Sequence, residues 1–188
     1  MITMKDIVEE GHPSLRTHAE AVTFPLDAET RKLGEEMMQF LINSQDDDLA
    51  EQYDLRAGVG LAATQLNINK QIFAVHVMDY DEDGYETDAL LSLVLFNPRL
   101  KSHSIQKAAL KDGEGCLSVN REVPGLVPRS KRIRLEYQDF EGNIKELKLR
   151  DYLAVVTQHE LDHLKGVMFY DYINQEDPWA ADKDTTLL

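Results

Sequence analysis

Asp151-Tyr152-Leu153-Ala154-Val155-Val156-Thr157-Gln158-His159-Glu160-Leu161-Asp162-His163-Leu164-Lys165-Gly166 is the stretch on which the fold turns. Its apolar residues recur at helical spacing, and Leu153, Val155, Val156, Leu161 and Leu164 fall on more than one side of the helix. A helix that is apolar nearly all round is a buried one. Asp151 reads as its N-cap and Gly166 as the C′ stop after a helix running to about Lys165. Residues i and i+4 lie about 40° apart around such a helix, so His159 and His163 point to one side and can share a cation. Glu160 sits about 100° round from His159, close enough to address a ligand on that cation. This is the His-Glu-x-x-His arrangement of metal hydrolases. The competing reading is a pair of core histidines, but each buried ring nitrogen then needs its own partner, whereas one ion serves two rings at once.

Around this helix the chain reads as strands. Residues 71–78 and 90–97 are rich in Ile, Phe, Val and Leu, the second run closed by Pro98. In 131–137 Ile133, Leu135 and Tyr137 face one way and Arg132, Arg134 and Glu136 the other. A turn at Phe140-Glu141-Gly142-Asn143 leads into a second strand over 144–149, which makes a hairpin. Residues 29–43 read as an amphipathic helix through Leu33, Met37, Phe40 and Leu41. The expected class is therefore α+β: antiparallel β-sheets packed around a central helix carrying the HExxH motif. The 188 residues are expected to form a single catalytic domain, with a short polar tail from about Gln175.

Composition excludes several classes. One cysteine, Cys116, allows no intrachain disulfide. The richest apolar run, 89–96, is far too short to span a membrane, and acids at the N-terminus argue against a signal peptide. With 20 Lys and Arg against 34 Asp and Glu, the net charge is −14, which disfavours direct nucleic-acid or anionic-membrane binding. A cytoplasmic monomer is the expectation. The acidic stretches 45–52 and 79–88 read as solvated loops. Asp79, Asp81, Asp83 and Gly84 echo a calcium loop, but Leu90 stands where its final Glu is needed.

A catalytic ion usually takes three protein ligands and leaves one position open. Ten residues after His159 stands Phe169, which cannot ligate, and Glu176 lies in the tail. The better candidate is upstream: Cys116, within Glu114-Gly115-Cys116-Leu117-Ser118, where glycines permit close backbone approach. Sulfur with two imidazoles suits Zn²⁺ or Fe²⁺ and is poor for Mg²⁺ or Ca²⁺. A third segment, Gly58-Val59-Gly60-Leu61-Ala62-Ala63-Thr64-Gln65, would let an extended ligand lie against its backbone. Gln65 offers it a neutral donor suited to a developing oxyanion.

Taken in order, these three segments resemble those of peptide deformylases, in the longer type found in Gram-positive bacteria, and the similarity extends from the N-terminus to about Ile173. The resemblance implies removal of the formyl group from N-formylmethionine on newly made polypeptides, with release of formate. It implies Cys116, His159 and His163 as ligands to one divalent ion, Fe²⁺ first and Zn²⁺, Ni²⁺ or Co²⁺ as substitutes. Glu160 would act as general acid and base, with the Leu117 N–H and the Gln65 amide holding the oxyanion. An N-formylmethionyl peptide would lie as an added strand beside Gly58, Val59 and Gly60, near Gly115. Its methionine would enter an apolar pocket bordered by Val155, Tyr152 and Leu110. Thr64 departs from the family, which usually has proline there. Nascent chains are the implied partners, and the tail carries no basic helix of the kind by which some relatives are thought to touch the ribosome. His12, His18, His76 and His103 show no ligand spacing, and Trp179 reads as an anchor for the tail. Two other readings are a zinc endopeptidase, which needs a third ligand after His163, and a binding module whose metal site is either structural, closed off by a fourth protein ligand, or absent.

Overall fold

The computed structural model describes residues 1–84 and 86–188. Five strands form the main sheet: β1 (Gly60–Ala62), β2 (Ile72–Tyr80), β3 (Glu86–His103), β6 (Arg132–Gln138) and β7 (Ile144–Arg150), in the order β1-β2-β3-β6-β7 with every pairing antiparallel. A smaller sheet has the order β5-β4-β8, from β4 (Lys107–Ala109), β5 (Arg129–Ser130) and β8 (Thr186–Leu187). The helices are α1 (Ala28–Gln45), α2 (Asp47–Tyr53) and α3 (Asp151–His163).

Strand β2 explains the layering. Its side chains alternate by the period of the pleat, and both sets are buried. Phe73, Val75 and Val77 pack with Ala154, Val156 and Leu161 of α3. Ile72 and Ala74 pack with Met37, Phe40 and Leu41 of α1. The sheet thus separates two helices, and a strand covered on both faces calls for a nearly continuous apolar run, here interrupted only by the buried His76. The α1 helix begins where Asp27 accepts the Thr30 N–H at 2.6 Å. In β6 the expected alternation holds, with Ile133, Leu135 and Tyr137 buried.

The structure corrects several expectations. Strand β3 does not stop before Pro98 but runs on to His103. Its register shifts between Phe96 and Arg99, and Asn97 adopts φ 48°, so Pro98 falls in an irregularity where its missing N–H costs no ladder bond. Asp151 does not cap α3. It has φ 53°, its N–H donates to Lys131 O, and its carboxylate pairs with Arg150. Gly166, at φ 71°, does end the turn that follows α3, its N–H reaching His163 O. The acidic 45–52 stretch is not a loop: Asp46 accepts the Leu49 N–H and starts α2, with Asp47 and Asp48 in the first turn, where acids favour a helix. The polar tail is docked on the rest of the chain. Pro178 O accepts the Leu126 N–H, and β8 lies parallel to β4, the one parallel strand pair among the described residues. Pro178 rather than the half-exposed Trp179 secures it. No helix among the described residues is long and apolar enough to cross a membrane.

Candidate active site

The helix α3 and the loop before β5 bring the sequence candidates together. Cys116 Sγ, a ring nitrogen of His159 and one of His163 all lie within 4.8 Å of one another. Sγ is 3.4 Å from His163 Nε2. His159 Nδ1 lies 2.8 Å from Glu114 Oε2, which leaves Nε2 as the nitrogen free to ligate. Neither Phe169 nor Glu176 joins this group. Phe169 instead stacks on His159, with ring centroids 5.9 Å apart and planes 19° apart.

The three donors lie beside a cleft of about 470 Å³. It is lined by Gly58, Val59, Gly60, Gln65, Leu110, Gly115, Cys116, Leu117, Tyr152, Val155, His159 and Glu160, so that of the sequence candidates only the buried His163 is not exposed to it. Strand β1 is an edge strand, and its preceding residues Gly58 and Val59 continue along the same wall. A Cβ on Gly60 would overlap the Glu160 carboxylate, and one on Gly58 would come within 2.8 Å of Leu117. Both glycines are therefore demanded by close approach.

Beneath the donors lies a buried ionic network. Arg129 Nε and Nη2 bind the two Glu114 oxygens at 2.5 and 2.9 Å, and Nη1 binds Asp162 Oδ2 at 2.8 Å. Burial raises the Glu114 pKa, but the guanidinium and His159 outweigh it and hold the carboxyl below its usual range. Burial also opposes a charge on His159. Hydrogen bonding to Cys116 and Glu114 and the charge of Glu160 nevertheless draw a proton onto it, up to about 10. His163, buried beside the charges of His159 and Arg129, is held well below the ordinary value. Burial pushes Glu160 up to about 7 against the pull of His159 and Arg129, and its Oε2 has no hydrogen-bond partner. Surroundings that draw a proton to His159 are equally suited to a cation, so the residues fit a metal ion.

Gln65 is fully engaged. Its Oε1 accepts the Ala62 N–H at 2.9 Å, and its Nε2 donates to Ser118 Oγ at 3.1 Å and faces Cys116 Sγ at 3.5 Å. The Leu117 N–H, by contrast, makes no hydrogen bond among the described residues. Thr64 Oγ1 donates to His163 O at 3.2 Å, tying this loop to the end of α3.

Residues 4–179 match the family model described as polypeptide deformylase. The chain belongs to that family. It is 57% identical to the peptide deformylase of Listeria welshimeri over 95% of this chain and 94% of the relative. It is 54% identical to that of Latilactobacillus sakei over the whole of both chains. Among solved structures, the deformylase of Thermus thermophilus superposes with a TM-score of 0.70 at 30% identity, over 94% of this chain and 88% of that one.

Within this deformylase site, sequence reasoning missed five residues. Glu114 and Arg129 orient His159, Ser118 orients Gln65, and Arg56 donates to Asn120 and to the carbonyls of Cys116, Leu117 and Val119. Tyr80 lines the cleft from the end of β2. Only Glu114 and Ser118 carried a signal, as neighbours of Cys116 in the segment 114–118.

Proposed function

We propose that this deformylase removes the formyl group from N-formylmethionine at the start of new polypeptides, as one catalytic domain acting in the cytoplasm. The observation that carries the reading is the convergence of one thiol and two imidazoles beside a cleft walled by an edge strand. Three donors leave a position open for chemistry, whereas a structural site is closed by a fourth. Cys116, His159 and His163 would hold the ion. Sulfur and imidazole suit Fe²⁺ or Zn²⁺, and Fe²⁺ is the family's usual choice, with Ni²⁺ or Co²⁺ as substitutes. When bound, the ion supplies Lewis acidity to the attacking water and the formyl oxygen.

The residues divide the remaining work. Glu160 takes the proton of the attacking water as the C–O bond forms, then gives it to the departing amine as the C–N bond breaks, leaving formate and a free methionine amine. Burial, which disfavours the charged form of this carboxyl, suits it to holding the proton between the two transfers. The Leu117 N–H, together with the Gln65 Nε2 hydrogen that otherwise faces Cys116 Sγ at 3.5 Å, holds the charge that develops on the formyl oxygen. Gly58, Val59, Gly60 and Gly115 form the backbone rail for the extended peptide, and Leu110, Tyr152 and Val155 border the methionine side chain.

Anaerobic purification with metal analysis, followed by a formate assay on formyl-Met-Ala, tests this. One divalent ion per chain and formate release are expected. Cys116→Ala should lose both. Cleavage of an internal peptide bond without formate release would overturn the reading in favour of an endopeptidase.

A further inference from the structure

The wall of the cleft contains an irregularity that the chemistry above does not use. The β1–β2 register places Gly60 opposite Val75, hence Val59 opposite His76. The His76 N–H donates to Val59 O at 2.9 Å. Opposed residues bonded in this way in an antiparallel ladder exchange two hydrogen bonds, and the second would run from Val59 N–H to His76 O. That bond is not made. His76 O instead accepts Gln45 Nε2 at 3.0 Å, and the Val59 N–H has no hydrogen-bond partner among the described residues.

Gln45, the last residue of α1, does a second thing. The same Nε2 donates to Gly58 O at 2.9 Å. Gly58 C=O and Val59 N–H are the two ends of one planar amide, and they point in opposite directions. Holding the carbonyl therefore fixes the aim of the N–H, away from Gln45. Ser44 completes the clamp: its Oγ accepts the Gly58 N–H at 3.2 Å and donates to Leu41 O at 2.9 Å. Every polar backbone group of Gly58 is thus spent on the end of α1, while the N–H of Val59, a residue lining the cleft, is left over. A backbone donor that no protein group satisfies, exposed along the wall of a ligand cleft, is a docking point for an extended peptide.

We propose that Gln45 is a positioning residue for substrate: it occupies the ladder position of the Val59 N–H and so reserves that donor for a backbone carbonyl of the bound formyl-methionyl peptide. This rests on the proposed deformylation. It predicts that Gln45 matters only for substrates that possess a backbone carbonyl beyond the formyl group. N-formyl-3-(methylthio)propylamine has the formamide and the thioether of formyl-methionine but no such carbonyl.

The test compares wild type, Gln45→Met and Gln45→Ala on formyl-Met-Ala-Ser and on that truncated formamide. Loss of one neutral hydrogen bond predicts KM for the peptide up by about 5–10-fold, kcat within about twofold, and the truncated compound unaffected. Equal losses on both substrates, a fall in kcat at unchanged KM, or no change on the peptide would overturn the proposal. Should both variants fail to fold, amide exchange in the wild-type protein decides. The Val59 N–H is expected to exchange freely and to become protected when the product Met-Ala-Ser saturates the cleft; an amide already protected, or unprotected by peptide, refutes the role. A wild type that releases no formate from either substrate would sink the deformylase reading itself, a result distinct from any of these.

Discussion

Glu114 Oε2 lies 2.8 Å from His159 Nδ1, and through that contact a carboxylate clamped by Arg129 decides which ring nitrogen of the histidine faces Cys116. Arg129 and Glu114 are both buried. Removing the carboxylate as Glu114→Ala leaves the guanidinium with Asp162 alone and the imidazole free to turn. Breaking a buried pair from one side costs about 3–5 kcal/mol. Loss of a partner that orients a ligand typically lowers metal affinity about 10–100-fold. Denaturation with metal held constant, and competition with a chelator, should show both effects. A variant as stable and as metal-avid as wild type would refute the coupling.

Asp171 supplies a pH dependence remote from the metal. Arg16 Nη1 and Nη2 donate to its two oxygens at 2.5 and 3.1 Å, and the Met168 N–H adds a third bond at 2.9 Å. These bonds hold its pKa below 3.8, Arg16 contributing most. A carboxyl depressed in the folded state stabilises fully above its unfolded pKa, and loses that stabilisation as pH falls through the lower folded value. The pair is about one-third exposed or more, so roughly 1 kcal/mol is expected. The gap in stability between wild type and Asp171→Asn should be constant near neutrality and close as pH drops below 3.8. A gap that persists unchanged in acid would show that the carboxylate's charge is not what stabilises the loop after α3.

Much of this was legible in the sequence because periodicity reports burial. The i, i+4 spacing of His159 and His163 and the doubly covered run of β2 are local patterns, and the structure honours both. What stayed hidden depends on contacts distant in the chain. Thr186 and Leu187 show no strand pattern of their own; their pairing with Ala108 and Ala109 is a tertiary event. Arg129 reads as a surface residue until Glu114 and Asp162 are placed around it. Gln45 ends a helix and shows nothing of its link to Gly58 and His76, which come 13 and 31 residues later. Pro98 signals the end of a strand only if its N–H is needed, and the register shift in β3 removes that need.

The Thr64 hydroxyl does work that a proline at this position could not. It donates to His163 O at 3.2 Å in the buried interior. Thr64→Val keeps the shape and deletes the donor, so about 1 kcal/mol of stability should be lost. Thr64→Ser should recover most of it. Denaturant midpoints of the three proteins measure this, and equal midpoints for Val and Thr would mean the bond contributes nothing.

Gly60 and Glu160 are coupled by space rather than by charge. A methyl group on Gly60 would overlap the Glu160 carboxylate, so in Gly60→Ala either the strand or the carboxylate must move. Neither shift touches Cys116, His159 or His163, and metal content should stay at the wild-type level. A general base displaced by about 1 Å can cost about 100-fold in kcat. Glu160→Gln, which deletes the base in place, should cost about 10²–10⁴-fold, again with metal retained. In the double variant the two losses should not add, because a displaced glutamine has no proton transfer left to lose. Additive losses would mean that Gly60→Ala acts on the peptide rail and not through the carboxylate. Full activity of Glu160→Gln would remove Glu160 from the proton path altogether.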